Sequence, residues 1–265
     1  MKNDLMLKSK TALVTGSIAG LGYAIAKELA LKGANIVLHG IEPEDICQLA
    51  KRQLMNDTGV EVMLSRADLT EVVQIEQMVN EAVSRFGNID VVVNNAVIRN
   101  FGVVDELPVA QWDESLAVNL SAAFHTARLT IPGMRKNAWG RIVNISSVYG
   151  LTATANRITY ITTKTALIGM TKSIAMDVAT TGITCNALCP GTVPTQAILD
   201  RIAGIAQKEG ITAQEAERNY ISSRHPTGRF VAMESVAGFV SFLCSEAGRD
   251  ITGSVLPVDG GWTIE

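Results

Sequence analysis

The chain has 265 residues, of which 47% are hydrophobic and 18% are charged, and its formal net charge is −3. This length fits one large α/β domain or two small ones, and the absence of a long Lys/Arg run excludes an electrostatic surface for nucleic acid or an anionic membrane. No apolar run approaches the length of a membrane span, and the first ten residues are polar, so we expect a cytoplasmic protein.

Strand-like and helix-like segments alternate along the chain. The composition and patterning predict strands at residues 11–15, 34–39, 61–65, 89–93, 141–145, 184–188 and 254–258. Helices are predicted at residues 21–32, 44–57, 72–86, 108–136, 160–180 and 233–245. This alternation predicts right-handed βαβ units and therefore an α/β fold, a single Rossmann-like, doubly wound parallel sheet with helices on both faces.

One segment, residues 193–230, interrupts this rhythm. It contains two helix-like pieces, residues 196–209 and 213–223, separated by Gly210. An insertion of this size beside the carboxyl ends of the strands is typical of a lid or of a wall of the substrate pocket. Because no linker divides the chain, we expect one domain, residues 1–265, with residues 193–230 as a helical substrate lid.

A glycine-rich loop follows the first predicted strand. Gly16, Gly20 and Gly22 stand between that strand and the first helix, where a phosphate would meet the free amides of the helix N-terminus. This position favours a dinucleotide site. After the second strand comes Glu42, with no Arg or Lys that would bind a 2′-phosphate, which favours NAD over NADP. The same glutamate is also compatible with a solvated loop.

The stretch 141–164 carries the chemistry. A buried strand runs into Ser147, and the next predicted helix carries Tyr160 and Lys164 four residues apart, which places both on one helix face. A hydroxyl, a phenol and an amine at a strand end suit proton transfer at an alcohol oxygen, because a nearby cation stabilises a phenolate. A second pair with the same spacing, Tyr23 and Lys27, has no such context and is typical of a solvated helix face.

Three further motifs follow predicted strands: Asp68-Leu69, Asn94-Asn95-Ala96 and Pro190-Gly191. Ligands bind at the carboxyl ends of the strands in open α/β sheets, although Asp and Asn also favour turns for purely local reasons. The four cysteines show neither CxxC spacing nor a nearby His, so no metal site is expected and free thiols in a reducing compartment are the default.

Taken together and with Asn119, these motifs resemble the short-chain dehydrogenase/reductase family in order and spacing over nearly the whole chain. The resemblance implies a nicotinamide cofactor and a homotetramer. It implies that the cofactor is bound by Thr15, Gly16, Ser17, Gly20, Leu21, Gly22, Asp68, Leu69, Asn95, Ala96, Tyr160, Lys164, Pro190, Gly191 and Val193.

The same resemblance implies the catalytic roles. Tyr160 is the general acid/base at the substrate oxygen, and Ser147 polarises that oxygen. Lys164 holds the nicotinamide ribose, and Asn119 positions a water that links Lys164 to solvent. A dinucleotide-binding regulator without chemistry is the alternative from another class, and it would not need these four residues together.

Within the family the chain resembles the bacterial D-3-hydroxybutyrate dehydrogenases, which use NAD, in residues 182–191 and 252–263. We therefore expect interconversion of a secondary alcohol and a ketone on a 3-hydroxybutyrate-like hydroxy acid or keto acid. The alternative is a ketone or 3-oxoacyl reductase of the same family.

The expected substrate pocket differs from that subgroup. Where those enzymes bind a carboxylate with glutamine, histidine, lysine and glutamine, this chain has Arg99, Tyr149, Arg157 and Arg201. With Ser147 and Tyr160 these form the predicted substrate site. Arginines favour an anion and grip a carboxylate with a bidentate fork, so a larger acid or one with a second anionic group is an open alternative. The other reading is that Arg99 and Arg201 lie on loops and point to water.

Overall fold

The computed structural model describes residues 5–264, and within them seven strands form one parallel sheet in the order β3-β2-β1-β4-β5-β6-β7. The strands are β1 Thr11–Val14, β2 Asn35–His39, β3 Val62–Ser65, β4 Val91–Asn94, β5 Gly140–Ile145, β6 Ile183–Pro190 and β7 Val255–Val258. The predicted Rossmann-like class is confirmed. The strand order reverses between β1 and β4, and ligand crevices of open α/β sheets lie at such a point.

Helices cover both faces of the sheet. They are α1 Gly20–Leu31, α2 Glu44–Thr58, α3 Val72–Phe86, α4 Val109–Leu116, α5 Ala122–Lys136, α6 Ile158–Asp177, α7 Gln196–Glu209, α8 Ala213–Ser222 and α9 Met233–Cys244. Helices α1, α2 and α9 bury their apolar sides on one face, and α3, α5 and α6 do so on the other. In the part of the chain that the structure describes, no helix has the length and apolarity that crossing a bilayer requires.

Strand residues explain why both faces are covered. Alternate side chains of β1 point to opposite faces, with Val14 in one core and Leu13 in the other, and both are fully buried. Val93 and Val92 of β4 divide in the same way. A strand that is apolar on both sides must bury both, which is the pattern of a parallel sheet between two helical layers.

The predicted helix over residues 108–136 is interrupted. A π-helical turn, Ala117–Ser121, separates α4 from α5. Such a turn inserts one residue into the helical repeat and is not visible in the spacing of apolar residues. It carries Asn119, whose side chain is thereby directed to the neighbouring loop. The remaining predicted boundaries differ by a few residues: β4 begins at Val91 and α6 ends at Asp177.

The two predicted helices of residues 193–230, which we call the lid segment, are α7 and α8. They share a small apolar core of their own, formed by Ile202, Ala206, Ala216, Tyr220 and Ile221. Helix α7 ends at Gly210, whose φ of 65° is the left-handed conformation that closes a helix. The segment follows directly from the carboxyl end of β6. Its role as a lid stays a prediction.

Candidate active site

A cavity of about 450 Å³ opens at the carboxyl ends of β1, β4, β5 and β6, against the lid segment. Most of the residues singled out from the sequence line it together. These are Gly16, Gly20, Leu21, Gly22, Asn95, Ala96, Arg99, Ser147, Tyr149, Arg157, Tyr160, Lys164, Pro190, Gly191 and Val193. Thr15, Ser17, Asp68, Leu69, Asn119 and Arg201 are not in its lining.

Ser147, Tyr160 and Lys164 converge at the end of β5. Ser147 caps a short 3₁₀ turn, and its Oγ accepts a hydrogen bond of 3.2 Å from the amide of Tyr149, which leaves the hydroxyl proton free to point into the cavity. Tyr160 and Lys164 lie in the first turns of α6, with the Lys164 Nζ 5.7 Å from the centre of the Tyr160 ring. Both side chains are buried, with exposures of 7% and 2%. A hydroxyl, a phenol and an amine thus line the same part of the cavity.

Lys164 is held in an environment that disfavours its charge. Its Nζ donates a hydrogen bond of 2.6 Å to the carbonyl of Ile145. Burial, and secondly the positive charge of Arg99, lower the pKa of Lys164 from 10.5 to about 7. Lys164 therefore exchanges its proton close to neutral pH, which suits a group that relays protons.

The glycine loop has the shape that a dinucleotide phosphate requires. Gly16 has a φ of 61°, and a Cβ built on Gly22 would overlap the carbonyl oxygen of Gly16. Helix α1 begins after Ala19, which supplies no side-chain cap, so the amides of its first turn are left for an anion. The loop and the helix start line the cavity. These residues fit a bound dinucleotide.

Thr15 and Asn95 shape this loop from behind. The Oγ1 of Thr15 accepts hydrogen bonds of 2.9 and 3.0 Å from the amides of Asn95 and Ala96. The Nδ2 of Asn95 donates to the carbonyls of Thr15 and Gly16, at 3.0 and 2.9 Å. The two strand ends β1 and β4 are therefore joined at the floor of the crevice.

Ser17 is fully buried, and its hydroxyl is occupied on both sides. It donates to the carbonyl of Val14 at 2.7 Å and accepts from the amide of His39 at 3.0 Å. The cofactor contact expected of Ser17 thus has no free hydroxyl atom on the cavity side. Its place in the loop is that of a brace between β1 and β2.

His39 is a residue that the sequence reasoning passed over. Its Nδ1 accepts a hydrogen bond of 3.1 Å from the amide of Gly16, and its Nε2 lies 2.8 Å from the carbonyl of Ala67. Both bonds are satisfied by the neutral ring with the proton on Nε2. Burial lowers the pKa of His39 and so favours this neutral form. The sequence feature that could have indicated this role is a histidine at the end of β2, the strand that neighbours β1 and its glycine loop.

Asp68 and Leu69 form the turn after β3. The Asp68 Oδ1 accepts from the amide and the hydroxyl of Thr70, at 2.9 and 2.8 Å. Leu69 is buried in the apolar core. The hydrogen bonds of Asp68 are therefore those of a local turn, which was the alternative to cofactor binding for this motif.

Asn119 makes its hydrogen bonds with a loop, not with Lys164. Its Oδ1 accepts from the amide of Ile98 at 2.8 Å, and its Nδ2 donates to the carbonyl of Ile98 at 3.0 Å. A longer contact of 3.4 Å joins it to Thr163. Asn119 therefore fixes the main chain immediately before Arg99, and its expected water-positioning role stays a prediction.

Three rings form a row across the substrate end of the cavity, which we call the aromatic row: Tyr160, Tyr149 and Trp262. The Tyr149 ring centre lies 6.3 Å from that of Tyr160 and 5.5 Å from that of Trp262. The guanidinium of Arg99 lies 5.5 Å from the Tyr160 ring, and that of Arg157 lies 5.3 Å from the Tyr149 ring. Two guanidinium groups thus lie beside the first two rings of the row, at distances typical of cation–π contacts.

Arg201 is placed differently. Its side chain is exposed, and its guanidinium lies 5.5 Å from the ring of Phe101, on whose ring Arg157 also lies at 4.7 Å. Arg201 is outside the cavity lining, whereas Arg99 is part of it. The sequence left open whether Arg99 and Arg201 face the cavity, and in the structure only Arg99 of these two does.

Several residues of the cavity lining were not predicted as site residues, and two of them come from segments distant in the chain. Arg224 follows α8, and its guanidinium lies 3.9 Å from the Tyr220 ring and 5.9 Å from the Trp262 ring. Trp262 belongs to the C-terminal turn. In the sequence, the only indication of Trp262 was the tail Asp259-Gly260-Gly261-Trp262. In the structure, the carboxylate of Asp259 accepts hydrogen bonds from the amides of Gly261 and Thr263 and so fixes this turn.

Comparison with known proteins agrees with this geometry. A family model described as "Enoyl-(Acyl carrier protein) reductase" matches residues 16–263. A D-beta-hydroxybutyrate dehydrogenase of Cupriavidus necator is 41% identical over 98% of this chain and 100% of its own length. The chain is a short-chain dehydrogenase/reductase. It is thus an oxidoreductase of a family that uses nicotinamide cofactors.

Other members of the family differ in substrate. A 3-oxoacyl-[acyl-carrier-protein] reductase of Aquifex aeolicus is 35% identical over 97% of this chain and 99% of its own. The crystal structure of L-sorbose reductase from Gluconobacter frateurii, complexed with NADPH and L-sorbose, superposes with a TM-score of 0.94 at 30% identity and covers 99% of both chains. The fold is therefore shared by enzymes that act on different carbonyl and hydroxyl compounds.

Proposed function

We propose that this enzyme is an NAD-dependent dehydrogenase that interconverts a 3-hydroxybutyrate-like hydroxy acid and its keto acid. The observation that carries the proposal is the meeting of Ser147, Tyr160 and Lys164 with the guanidinium groups of Arg99 and Arg157 in one cavity. The first three residues act at an alcohol oxygen, and the arginines supply forks for a carboxylate. The identity to a D-beta-hydroxybutyrate dehydrogenase supports the same reading.

A nicotinamide dinucleotide, when bound at the glycine loop, would supply the acceptor for a hydride, that is, for the carbon-bound hydrogen and its two electrons. Tyr160 takes the hydroxyl proton as the C–H bond breaks and the C=O bond forms. Ser147 donates its free proton in a hydrogen bond to the same oxygen and holds it toward Tyr160. Lys164, with a pKa of about 7, is the next group to which a proton passes. In the opposite direction Tyr160 returns the proton to the carbonyl oxygen.

Glu42 supports NAD as the cofactor. Its side chain lines the cavity after β2, where its carboxylate would accept a hydrogen bond from a ribose hydroxyl and would repel a 2′-phosphate. Arg66 follows β3, the neighbour of β2, but it is outside the cavity lining and pairs with Glu44 at 3.0 Å. The second candidate, a ketone or 3-oxoacyl reductase, draws support from the Aquifex aeolicus relative and from the NADPH of the sorbose reductase.

We expect NAD reduction with 3-hydroxybutyrate to exceed NADP reduction, and Tyr160→Phe to lower kcat by about 10²-fold or more while the affinity for NAD is retained. Removing only the phenolic oxygen leaves the ring and its packing in place. Steady-state kinetics and fluorescence titration of NADH measure the two quantities. Equal turnover in Tyr160→Phe would contradict catalysis by this residue, and a preference for NADPH with 3-oxoacyl thioesters would favour the reductase.

We also propose that the chain works in the cytoplasm as a homotetramer. Its four cysteines are free and buried, which suits a reducing compartment. Large apolar side chains are exposed on two neighbouring helices, Phe124 of α5 at 51% and Met176 of α6 at 77%, and association would cover them. Light scattering of the purified protein tests the assembly, and the mass of a single chain would contradict it.

A further inference from the structure

The cavity is lined by more positive than negative side chains. Arg99, Arg157, Lys164 and Arg224 line it, against one acidic residue, Glu42. Glu42 follows β2, three strands away from β5 across the sheet. Within residues 5–264 none of the four cations forms an ion pair. A cleft of one sign with low-polarity walls concentrates ligands of the opposite sign, so the substrate end is built for negative charge.

The cations are spread along the aromatic row. Arg99 lies against Tyr160 at one end, and Arg224 lies near Trp262 at the other, with the Tyr149 ring between them. A carboxylate binds guanidinium groups that lie within hydrogen-bond distance of its two oxygens. The row is longer than that, because its successive ring centres are 6.3 and 5.5 Å apart, so two carboxylates joined by a short chain suit its two ends better than one.

The Arg224 guanidinium is positioned by two hydrogen bonds and has further N–H donors without a protein partner in the described part of the chain. One of its nitrogens, Nη1, donates to the carbonyl of Tyr220 at 2.8 Å and to the hydroxyl of Ser223 at 2.7 Å. These contacts close the end of α8, a common role for a basic residue after a helix. In the described part of the chain its Nε and Nη2 donate to no protein atom, while the side chain lines the cavity. The role of helix cap thus leaves most of the fork unused.

Asp259, whose charge reaches His225 beside Arg224, does not fill that fork. Asp259 accepts from the amides of Gly261 and Thr263 and from the Thr263 hydroxyl, at 3.0, 2.9 and 2.6 Å. Its oxygens are committed to the C-terminal turn that carries Trp262. The charge of Arg224 is thus left for a molecule that enters the cavity.

We infer that the substrate of the dehydrogenase proposed above carries a second carboxylate, and that Arg224 is the residue that selects it. The inference rests on the proposed function. Arg99 and Arg157 hold one carboxylate, near Tyr160 and Tyr149, and Arg224 binds the second one from the lid segment, near Trp262. The substrate class is therefore a short 3-hydroxy dicarboxylic acid and its keto counterpart.

A matched pair of substrates tests this inference: 3-hydroxybutyrate, and 3-hydroxyglutarate, in which a carboxylate replaces one hydrogen of the terminal methyl group. With saturating NAD we expect kcat/KM to be about tenfold to a hundredfold higher for the diacid, as one charge-assisted hydrogen-bonded contact provides. Its monomethyl ester should lose this gain. Arg224→Gln should lower the diacid-to-monoacid ratio of kcat/KM, mainly through KM for the diacid, and Arg224→Lys should restore part of it.

Arg218→Gln is the control, because Arg218 belongs to the same lid segment, on α8, but lines a different cavity, together with Phe230 and Met233. It should leave the ratio as in the unmodified enzyme. Equal kcat/KM for the two acids, or an equal loss on both acids in Arg224→Gln, would overturn the inference.

Binding separates this inference from the proposed function. If no hydroxy acid is oxidised, the proposed function fails, and calorimetric titration of the enzyme–NADH complex with glutarate and with butyrate still decides the inference. Tighter binding of glutarate that Arg224→Gln removes supports a second carboxylate site. Equal binding of the two acids rejects it, whatever the reaction proves to be.

Discussion

At the scale of single residues, the proposed site combines groups expected to act on the substrate with groups that set their charge. Lys164 is the clearest case, because burial and Arg99 together bring its pKa to about 7. Arg99 itself belongs to the substrate end of the cavity, beside Tyr160. The residue expected to meet the carboxylate thereby also tunes the residue that relays the proton.

Replacing Arg99 should move the pH profile of the enzyme. In Arg99→Gln one positive charge near Lys164 is lost, so the pKa of Lys164 should rise toward its ordinary value of 10.5. The inflection of kcat/KM that reports Lys164 should then shift to higher pH, measured over about pH 5 to about pH 10. Arg201→Gln is the control, since Arg201 lies over Phe101 outside the cavity. An unchanged inflection in Arg99→Gln would contradict the coupling.

At the scale of elements, the lid segment depends on its ends. The N-terminus of α8 is closed by a capping box, in which the Thr212 hydroxyl accepts from the amide of Glu215 and the Glu215 carboxylate accepts from the amide of Thr212. Beyond its other end, the buried His225 accepts a hydrogen bond of 2.9 Å from the amide of Thr192, just after β6. Helix α8 is therefore ordered by local capping, and the hydrogen bond of the His225 ring connects its end to the segment after β6.

Removing the cap should loosen the lid segment without unfolding the protein. Thr212→Ala loses the capping hydroxyl and should destabilise α8 locally by about 0.5–2 kcal/mol. Amide hydrogen exchange should become faster by roughly twofold to thirtyfold in α8 and stay unchanged in α9. In the control Ser222→Ala, the lost hydroxyl contacts only the carbonyl of Asn219 at 3.4 Å. Equal exchange in Thr212→Ala and the unmodified protein would show that the cap does not order this helix.

At the scale of the whole molecule, stability is linked to protonation through buried histidines. Burial lowers the pKa of His39 and of His225 relative to 6.5. The unfolded chain therefore binds protons that the folded chain does not take up. The stabilising contribution of the neutral rings is complete above about pH 6.5 and is lost as the pH falls toward the pKa values of the folded protein.

The free energy of unfolding should accordingly fall as the pH is lowered from about 7.5 to about 5, measured from urea midpoints at constant slope. His39→Asn keeps an acceptor for the Gly16 amide but removes a titrating group, so its midpoint should depend less on pH. Lys164 adds a second window with the same sign: because its folded pKa is about 7 and its ordinary value 10.5, stability rises with pH between the two. A flat dependence between about pH 7.5 and about pH 5 would contradict the histidine effect, and a flat dependence between the pKa of about 7 and 10.5 would contradict that of Lys164.

The fold and much of the site could be predicted because their signals are local. Apolar alternation in β1 and β4 and the position of Gly16 and Gly22 between a strand and a helix are properties of neighbouring residues. The pattern of Ser147, Tyr160 and Lys164 spans a single strand, loop and helix, so the sequence alone indicated the reaction. The family assignment followed from the same motifs.

Tertiary structure decided the rest, because it depends on contacts between residues far apart in the chain. It turned the hydroxyl of Ser17 inward against β2, bonded Asn119 to Ile98, and placed Arg201 outside the cavity. It also brought Arg224 of the lid segment and Trp262 of the C-terminal turn to the end of the aromatic row. The sequence by itself determined the fold and the family, and it placed the proposed catalytic residues within one strand, loop and helix. The packing of two distant segments over the strand ends decided which charges line the cavity, since no local pattern encodes that contact.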